Sequence, residues 1–508
     1  MITRLATVPP PMLSVRRRLV ASAREWLRRH RGDLAVLLPV LLAAGLVHAI
    51  GMSAFPRYVD DPGTYLSQAW SVRYQGTLSP YSYFYDHAPG GWIQIAMWAW
   101  LTDGFGRYDT AIGFGNEVML LAKLASTVLL YTLGRRLGFS RPGAAAAGLL
   151  FALCPLAVMF GRWTFLDNLV TPWLLAAFVL ALSPKRSIAS ATGGAVCFAM
   201  ATLTKETALV LLPAFAWALW RNTDPHNRAH SLTVAAGAGF LLMAMYPLMA
   251  VYKGELFEGP GHNSLLGTAK WQLVDRAASG SLLNGGSVMR QMFTDWLAQD
   301  PVLLLGGLVS IVAGFLVRRL RPIALTLLIG WLMMLRGGYV PFMYVIVLLP
   351  WSALLIVGAI EAVWRRWPRA GVALAAVAVF GAALWPARLY PMVTASGPQP
   401  LRAAEQWVAD NVPRDRVVVA HDSIWVDLVH QYGFQPRPII VHKLDADPAV
   451  RRELKRVDYL VVPNWYYESG GGNYPTLLEA RKHAVAAARF GSGGDGVVVY
   501  RVSEHWRP

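Results

Sequence analysis

Tyr58-Val59-Asp60-Asp61-Pro62-Gly63-Thr64-Tyr65 places two adjacent carboxylates directly after the first long apolar segment of the chain, Leu34 to Met52. At about 1.5 Å per residue that segment is long enough to cross a hydrocarbon core of about 30 Å. An acidic pair just beyond its end sits at the boundary between lipid and water, where ionisable groups are costly and are kept for function. The plainer alternative is a helix cap, because Asp before Pro at a first helical position is a common start signal. A cap needs one carboxylate, and this stretch has two. The position suits a base that serves a water-soluble group while a lipid substrate stays in the bilayer.

Working outward, the same pattern continues along the chain. Of 508 residues 55% are hydrophobic and 15% charged, and the apolar ones come in long blocks, which defines a polytopic, mainly α-helical membrane protein. Further apolar segments lie at roughly 117–134, 142–160, 165–182, 188–203, 206–221, 231–251, 301–317, 322–335, 339–363 and 370–388, for about eleven crossings with the first. The net charge of +17 does not point to nucleic acid. Its arginines cluster in alternate short loops: Arg135-Arg136 to Arg141, Lys185-Arg186, Arg221 to Arg228, Arg318-Arg319 to Arg321, and Arg365-Arg366 to Arg369. That alternation follows the positive-inside rule. It predicts a cytoplasmic N-terminal arm over 1–33, rich in Arg16, Arg17, Arg18, Arg24, Arg28, Arg29 and Arg31, and a cell-membrane location. The two cysteines, Cys154 and Cys197, fall in apolar segments and imply no disulfide or thiolate metal framework.

The loops of opposite parity carry the chemistry. The first outer loop, 53–116, is rich in Tyr and Trp and predicts a structured lid, with an amphipathic piece near Trp92–Trp100. A second long loop, 252–300, contains Gly259-Pro-Gly-His262. The remaining outer turns are short, yet each carries a cation where the topology rule disfavours one: Arg162, Lys205 and Arg336. Each alone reads as an interfacial anchor or local ion pair, with Asp167 beside Arg162 and Glu206 beside Lys205. Together, three cations at the outer ends of neighbouring helices make a pocket for a phosphate ester. Asp86-His87, ahead of the Pro89-Gly90 turn, reads either as part of a turn with Trp92 as interfacial anchor or as a polar pair with His87 facing the cleft beside a phosphate or the acidic pair. Asp60, Asp86 and His87 could bind a divalent ion, but their spacing matches no ligand motif, so the reading assigns no metal and no cofactor.

From about residue 390 the composition changes. Short β-branched runs at Val417–Ala420, Pro438–Val441 and Tyr459–Val462 alternate with helical patterns at Leu401–Asn411, Ile424–Gln431 and Val450–Val457. They predict an α/β domain over 390–508 with a mainly parallel sheet, extracytoplasmic by the odd number of crossings, after a transmembrane domain over 34–389. His421-Asp422 at a strand end reads as a pair on a solvated loop.

In order and spacing, the first ~220 residues resemble the membrane-integral GT-C glycosyltransferases, in the branch of protein O-mannosyltransferases and lipid A aminoarabinose transferases. The matching elements are Asp60-Asp61, His87-Ala88-Pro89 before Trp92, Arg162 to Asp167, and Thr204-Lys205-Glu206; Tyr339, Tyr344 and Pro350 look similar to the family's late helix. Ala88 stands where the family has a first proline, and Asp61 where it often has Glu. The resemblance implies a polyprenyl-phosphate sugar donor, an acceptor hydroxyl on a glycan, lipid or protein, and inverting transfer on the extracytoplasmic side. It implies Asp60 and Asp61 as the catalytic pair, with Lys205, Arg336, Arg162 and His87 at the donor phosphate. Asp86, Asp167, Glu206 and Tyr344 are expected in support. The alternative from another class is a lipid or lipid-linked sugar transporter. Transporters place ionisable groups near midspan and show repeated halves, and neither pattern is visible here.

Overall fold

In a computed structural model, which describes residues 12–259, 262–397, 399–468 and 474–506, the first apolar segment is the second half of a long helix, α1, Met12–Ala49. The arginine-rich arm from residue 12 onward is therefore continuous with the first span; residues 1–11 of the arm, and Pro260-Gly261 of the second outer loop, lie outside the described residues. Asp60 then begins α2, Asp60–Gln75, and the aromatic-rich piece forms α3, Gly90–Thr102. The two helices are held together by rings: Tyr65 and Trp92 stack with centroids 6.5 Å apart, and Tyr83 meets Trp92 edge-on at 6.0 Å.

The bundle continues through α4 (Ala111–Arg136), α5 (Arg141–Leu153), α6 (Leu166–Ala181), α7 (Ile188–Thr204), α8 (Arg228–Tyr252), α9 (Pro301–Leu316), α10 (Arg321–Leu335), α11 (Val345–Arg366) and α12 (Pro368–Ala382). Among the described residues, five helical stretches are long and apolar enough to cross a membrane: 24–49, 111–136, 225–252, 342–366 and 368–394. A further pair, Val288–Gln299 and Pro301–Leu316, is bent by 107°. Proline cannot continue the earlier helix, and the Asp300 carboxylate restarts the chain by accepting from the backbone N–H of Val302 and Leu303 at 3.0 and 3.1 Å. Four apolar helices, α5, α6, α7 and α10, are shorter. The segment expected to cross at 206–221 is a 3-10 turn, Glu206–Leu211, followed by an eleven-residue helix, Leu212–Asn222.

The basic loops gather at one end of this bundle. Arg141 and Arg135 reach Asp33 at 3.1 and 3.3 Å, while Arg365 and Arg319 both donate to the Gly138 carbonyl, at 2.7 and 3.0 Å. The acidic pair lies at the other end, on the side of α2 and α3.

Residues 418–502 form a five-stranded sheet of order β2-β1-β3-β5-β4, with β1 Val418–Ala420, β2 Ile439–Ile440, β3 Tyr459–Pro463, β4 Ala484–Phe490 and β5 Val497–Val502. β1 runs parallel to β2 and β3, whereas β5 is antiparallel to both β3 and β4. This antiparallel half escapes the sequence reading because β4 begins Ala484-Val-Ala-Ala-Ala488, a composition that favours helix. Helices α13, Pro400–Asn411, and α14, Asp422–His430, flank the sheet. β1 delivers the chain straight into α14, which lies against α2. At that crossing only glycine fits: a Cβ on Gly63 would stand 2.2 Å from the backbone carbon of Asp422.

Candidate active site

The acidic pair opens α2 without capping it, since neither carboxylate bonds a first-turn N–H and Val59 holds the cap position. Successive residues of a helix point about 100° apart, so adjacent aspartates face different surroundings. Asp60 faces the C-terminal sheet: the Tyr466 hydroxyl donates to its Oδ1 at 2.7 Å, and His421 Nε2 stands 2.9 Å from the same oxygen. Asp61 faces the bundle, within electrostatic reach of Lys205 and His87. Burial pushes its carboxyl up to about 6, against the pull of those two cationic groups.

The other residues read from the sequence fall into pairs. His87 Nδ1 lies 3.0 Å from Glu206 Oε2, and the second Glu206 oxygen accepts from the Ala88 N–H at 2.6 Å. Burial opposes protonation of His87, but the Glu206 carboxylate outweighs it and holds the imidazole above its ordinary value. Lys205 follows the last residue of α7, and its Nζ meets Asp167 Oδ2 at 2.7 Å with both side chains almost fully buried. The Tyr344 ring covers the same ammonium, 5.2 Å from Nζ to centroid. Asp86 Oδ1 accepts from the His87 N–H at 3.2 Å. Among the described residues no three His, Cys, Asp or Glu side chains converge as a metal site, so Asp60, Asp86 and His87 are not assembled into one.

Two of the expected cations differ in kind. Arg162 does not open onto the cleft. Its guanidinium donates to the carbonyls of Val47 and Ile50 at 2.8 and 2.7 Å, where α1 ends, and to Met392 at 2.6 Å. Helix ends leave carbonyls unpaired, and a buried arginine satisfies them here. Arg336, by contrast, is exposed and bonds locally, donating to the Tyr339 carbonyl at 3.0 Å and to Met333 Sδ at 3.7 Å.

Arg276, Ser279 and Tyr466 escaped the sequence reading, and His421 was placed wrongly by it. Arg276, on the long outer loop, stacks 3.5 Å over the Tyr339 ring and so joins the Arg336 turn. Ser279 ties that loop down: its hydroxyl donates to the Val340 carbonyl at 3.1 Å, and the Val340 N–H donates to the same oxygen at 2.9 Å. Tyr466 and His421 meet Asp60. His421 is fully buried rather than on a solvated loop, and so is Asp422, which accepts from Thr64 of α2 and lies 3.2 Å from His442.

An apolar groove of about 430 Å³ runs between α3, α4 and α6, lined by residues including Gln94, Trp98, Leu121, Ala125, Leu169 and Trp173. Gln94, one of its lining residues, donates to Thr204 Oγ1 at 2.9 Å and accepts from Trp173 Nε1 at 2.7 Å.

Comparison with known proteins agrees with this architecture. Residues 96–249 match the family model described as dolichyl-phosphate-mannose-protein mannosyltransferase. Among solved structures, the chain is similar to ArnT from Cupriavidus metallidurans bound to undecaprenyl phosphate, at TM-score 0.57 and 15% identity over 93% of this chain and 98% of that one. It is also similar to the Archaeoglobus fulgidus oligosaccharyltransferase in its apo form, at TM-score 0.53 and 14% identity over 94% of this chain and 75% of that one. The same archaeal enzyme in complex with an inhibitory peptide and a dolichol-phosphate gives TM-score 0.52 at 14% identity, again over 94% and 75%. No curated protein matches by sequence. The chain shares the GT-C fold of these structures.

Proposed function

We propose that this protein is an inverting glycosyltransferase that moves a sugar from a polyprenyl phosphate to an acceptor hydroxyl on the extracytoplasmic side of the cell membrane. The observation that carries the reading is an acidic pair on α2 whose Asp61 lies within electrostatic reach of Lys205 and His87, together with an apolar groove whose Gln94 bonds Thr204, the residue before Lys205. A lipid-linked donor needs all three at once. The prenyl chain lies in the groove, the phosphate meets cations, and the anomeric carbon faces a carboxylate.

In this scheme Arg276 and Arg336 take the phosphate directly, since Arg336 is exposed and Arg276 is anchored to the same turn through Tyr339. Lys205, already paired with Asp167, contributes through its field, and Glu206 holds His87 toward the same space. Asp60 is the general base. It accepts the proton of the acceptor hydroxyl, whose oxygen attacks the anomeric carbon on the face opposite the phosphate. One base is enough, because the departing phosphate needs cationic stabilisation rather than protonation. Asp61, facing Lys205 and His87, balances the cations of the donor side. The scheme calls for no metal or organic cofactor.

Two features support the sidedness. The clustered arginines mark the opposite end of the bundle as cytoplasmic, and the C-terminal sheet contacts α2, so it shares the compartment of the first outer loop. Eleven crossings with an inward N-terminus fit that arrangement, the short helices counting as spans packed inside the bundle.

Incubating membranes containing the protein with a panel of undecaprenyl-phosphate-linked [14C]hexose and [14C]pentose donors tests the function. Transfer to an endogenous acceptor, lost in Asp60→Asn, is the expected result. Movement of intact labelled donor across the bilayer without cleavage of the sugar–phosphate bond would replace this reading by lipid transport.

A further inference from the structure

The Asp60 carboxylate is held from outside the transmembrane bundle. Both of its described partners come from the C-terminal unit, 361 and 406 residues away in the chain, and both address one oxygen, Oδ1. Among the described residues Oδ2 has no partner, and the side chain is about one-third exposed (36%). The carboxylate is thus fixed at one oxygen and open at the other, the arrangement a general base requires.

His421 is built for this contact. It is fully buried at the junction of β1 and α14, and its Nδ1 accepts from the Ser423 backbone N–H at 3.2 Å, which caps α14. An imidazole whose Nδ1 accepts carries its proton on Nε2 when neutral. That Nε2 stands 2.9 Å from Asp60 Oδ1, close enough for an ionic contact but outside hydrogen-bond geometry, and among the described residues no other group satisfies it. Tyr466 is also fully buried, its ring edge-on to His421 at 5.9 Å and stacked on Trp465 at 3.9 Å, so its hydroxyl has little freedom to turn away. The frame around both is rigid. Thr64 donates to Asp422, Ser423 Oγ donates to the Val59 carbonyl at 3.0 Å, and the backbone at Gly63 touches that at Asp422.

We infer that His421 and Tyr466 are positioning residues of the transfer reaction, so that the catalytic site is assembled from both units and the C-terminal sheet is part of it rather than an appendage. The inference rests on the assignment of Asp60 as the base. An acceptor hydroxyl must approach Oδ2 along the seam between α2 and the sheet, and each contact on Oδ1 narrows the orientations of Oδ2. Loss of either donor is therefore expected in turnover and not in donor affinity.

Three substitutions separate the chemistry from the folding. Tyr466→Phe removes only the hydroxyl and keeps the ring contacts. His421→Asn keeps an acceptor near the Nδ1 position, and with it the cap of α14, but loses the donor to Asp60. His421→Gln places an amide N–H near the Nε2 position and restores that donor. Hydrogen bonds to a charged group are lost at a cost of roughly 10- to 100-fold. With the undecaprenyl-phosphate [14C]sugar that the donor panel identifies, Tyr466→Phe and His421→Asn should each lower kcat by about tenfold or more, with donor KM unchanged within twofold. His421→Gln should recover most of the loss. Normal kcat in Tyr466→Phe and His421→Asn, while Asp60→Asn is inactive, overturns the positioning role and leaves the base intact. Normal kcat in Asp60→Asn overturns the base, and the positioning role with it. A fall in His421→Gln equal to that in His421→Asn, with an unfolding midpoint lowered in both and Tyr466→Phe at normal kcat, assigns the pair to structure alone and also overturns the inference.

Discussion

Replacing Asp61 by Asn should make the protein more stable at neutral pH while impairing it as an enzyme. A rise from the ordinary carboxylate value of 3.8 to about 6 means that the folded protein disfavours this charge, by roughly 3 kcal/mol. The sign follows from linkage. A carboxyl whose folded value is raised contributes stability that is full below its unfolded value and is lost as the pH rises through about 6. At pH 8 the wild-type carboxylate is therefore ionised in a place that resists it, and Asn, nearly isosteric and always neutral, removes the penalty. Partial accessibility of Asp61 trims the gain, so up to about 3 kcal/mol is the ceiling. Thermal unfolding of the detergent-solubilised protein, followed by tryptophan fluorescence, measures it. The variant's midpoint should exceed the wild type's by a few degrees at pH 8; the gap should shrink below about pH 6 and close near pH 4. A variant less stable than wild type at pH 8 would mean that attraction to Lys205 and His87 exceeds the cost of burial, and the reasoning would fail. A stabilised variant with reduced turnover would show a charge retained for function against stability.

The remaining expectations concern the site and its setting. Asp60→Asn should lower transfer by about 10²–10⁴-fold with donor binding intact; loss confined to Asp61→Asn instead would exchange the two roles. Arg276→Ala and Arg336→Ala should each raise donor KM by roughly 10- to 100-fold while leaving acceptor KM alone, and unchanged donor affinity in both would reduce these arginines to interfacial anchors. Gly63→Ala should loosen the α2–α14 crossing, seen as faster proteolysis of the C-terminal unit and lower kcat; a variant indistinguishable from wild type would show that the close approach is not needed. A periplasm-specific reporter fused after Pro508 should be active, and activity of a cytoplasm-specific reporter there would reverse the topology.

Much of the bundle was legible because hydropathy and loop charge are local signals. The first apolar segment, the aromatic helix after Pro89 and the polar turns at Lys205 and Arg336 all follow from residues close in sequence. What the sequence concealed was distant pairing. Arg162 looked like a phosphate ligand because it is a cation at an outer turn; only the fold shows that the last turn of α1 and the Met392 carbonyl converge on its guanidinium. Arg276 carried no motif, and it reaches Tyr339 because a long loop folds back across the bundle. The bend before α9 could have been anticipated, since Asp300-Pro301 is itself a helix-start signal inside an apolar region.

The acidic pair shows most clearly why a motif is less than a site. Written side by side, Asp60 and Asp61 look interchangeable, and a sequence argument can rank them only by side-chain length and family habit. On a helix they are separated by about 100° of rotation, which hands each to a different set of neighbours. One is drawn to the sheet, where the Tyr466 hydroxyl donates to it at 2.7 Å and the buried His421 Nε2 stands 2.9 Å from the same oxygen. The other is pressed into the bundle, where burial outweighs the pull of Lys205 and His87 and raises its carboxyl to about 6. Both neighbours of Asp60 lie more than 360 residues away. The division of labour between the carboxylates is thus decided by where the C-terminal unit docks, and no reading confined to the first outer loop could have found it.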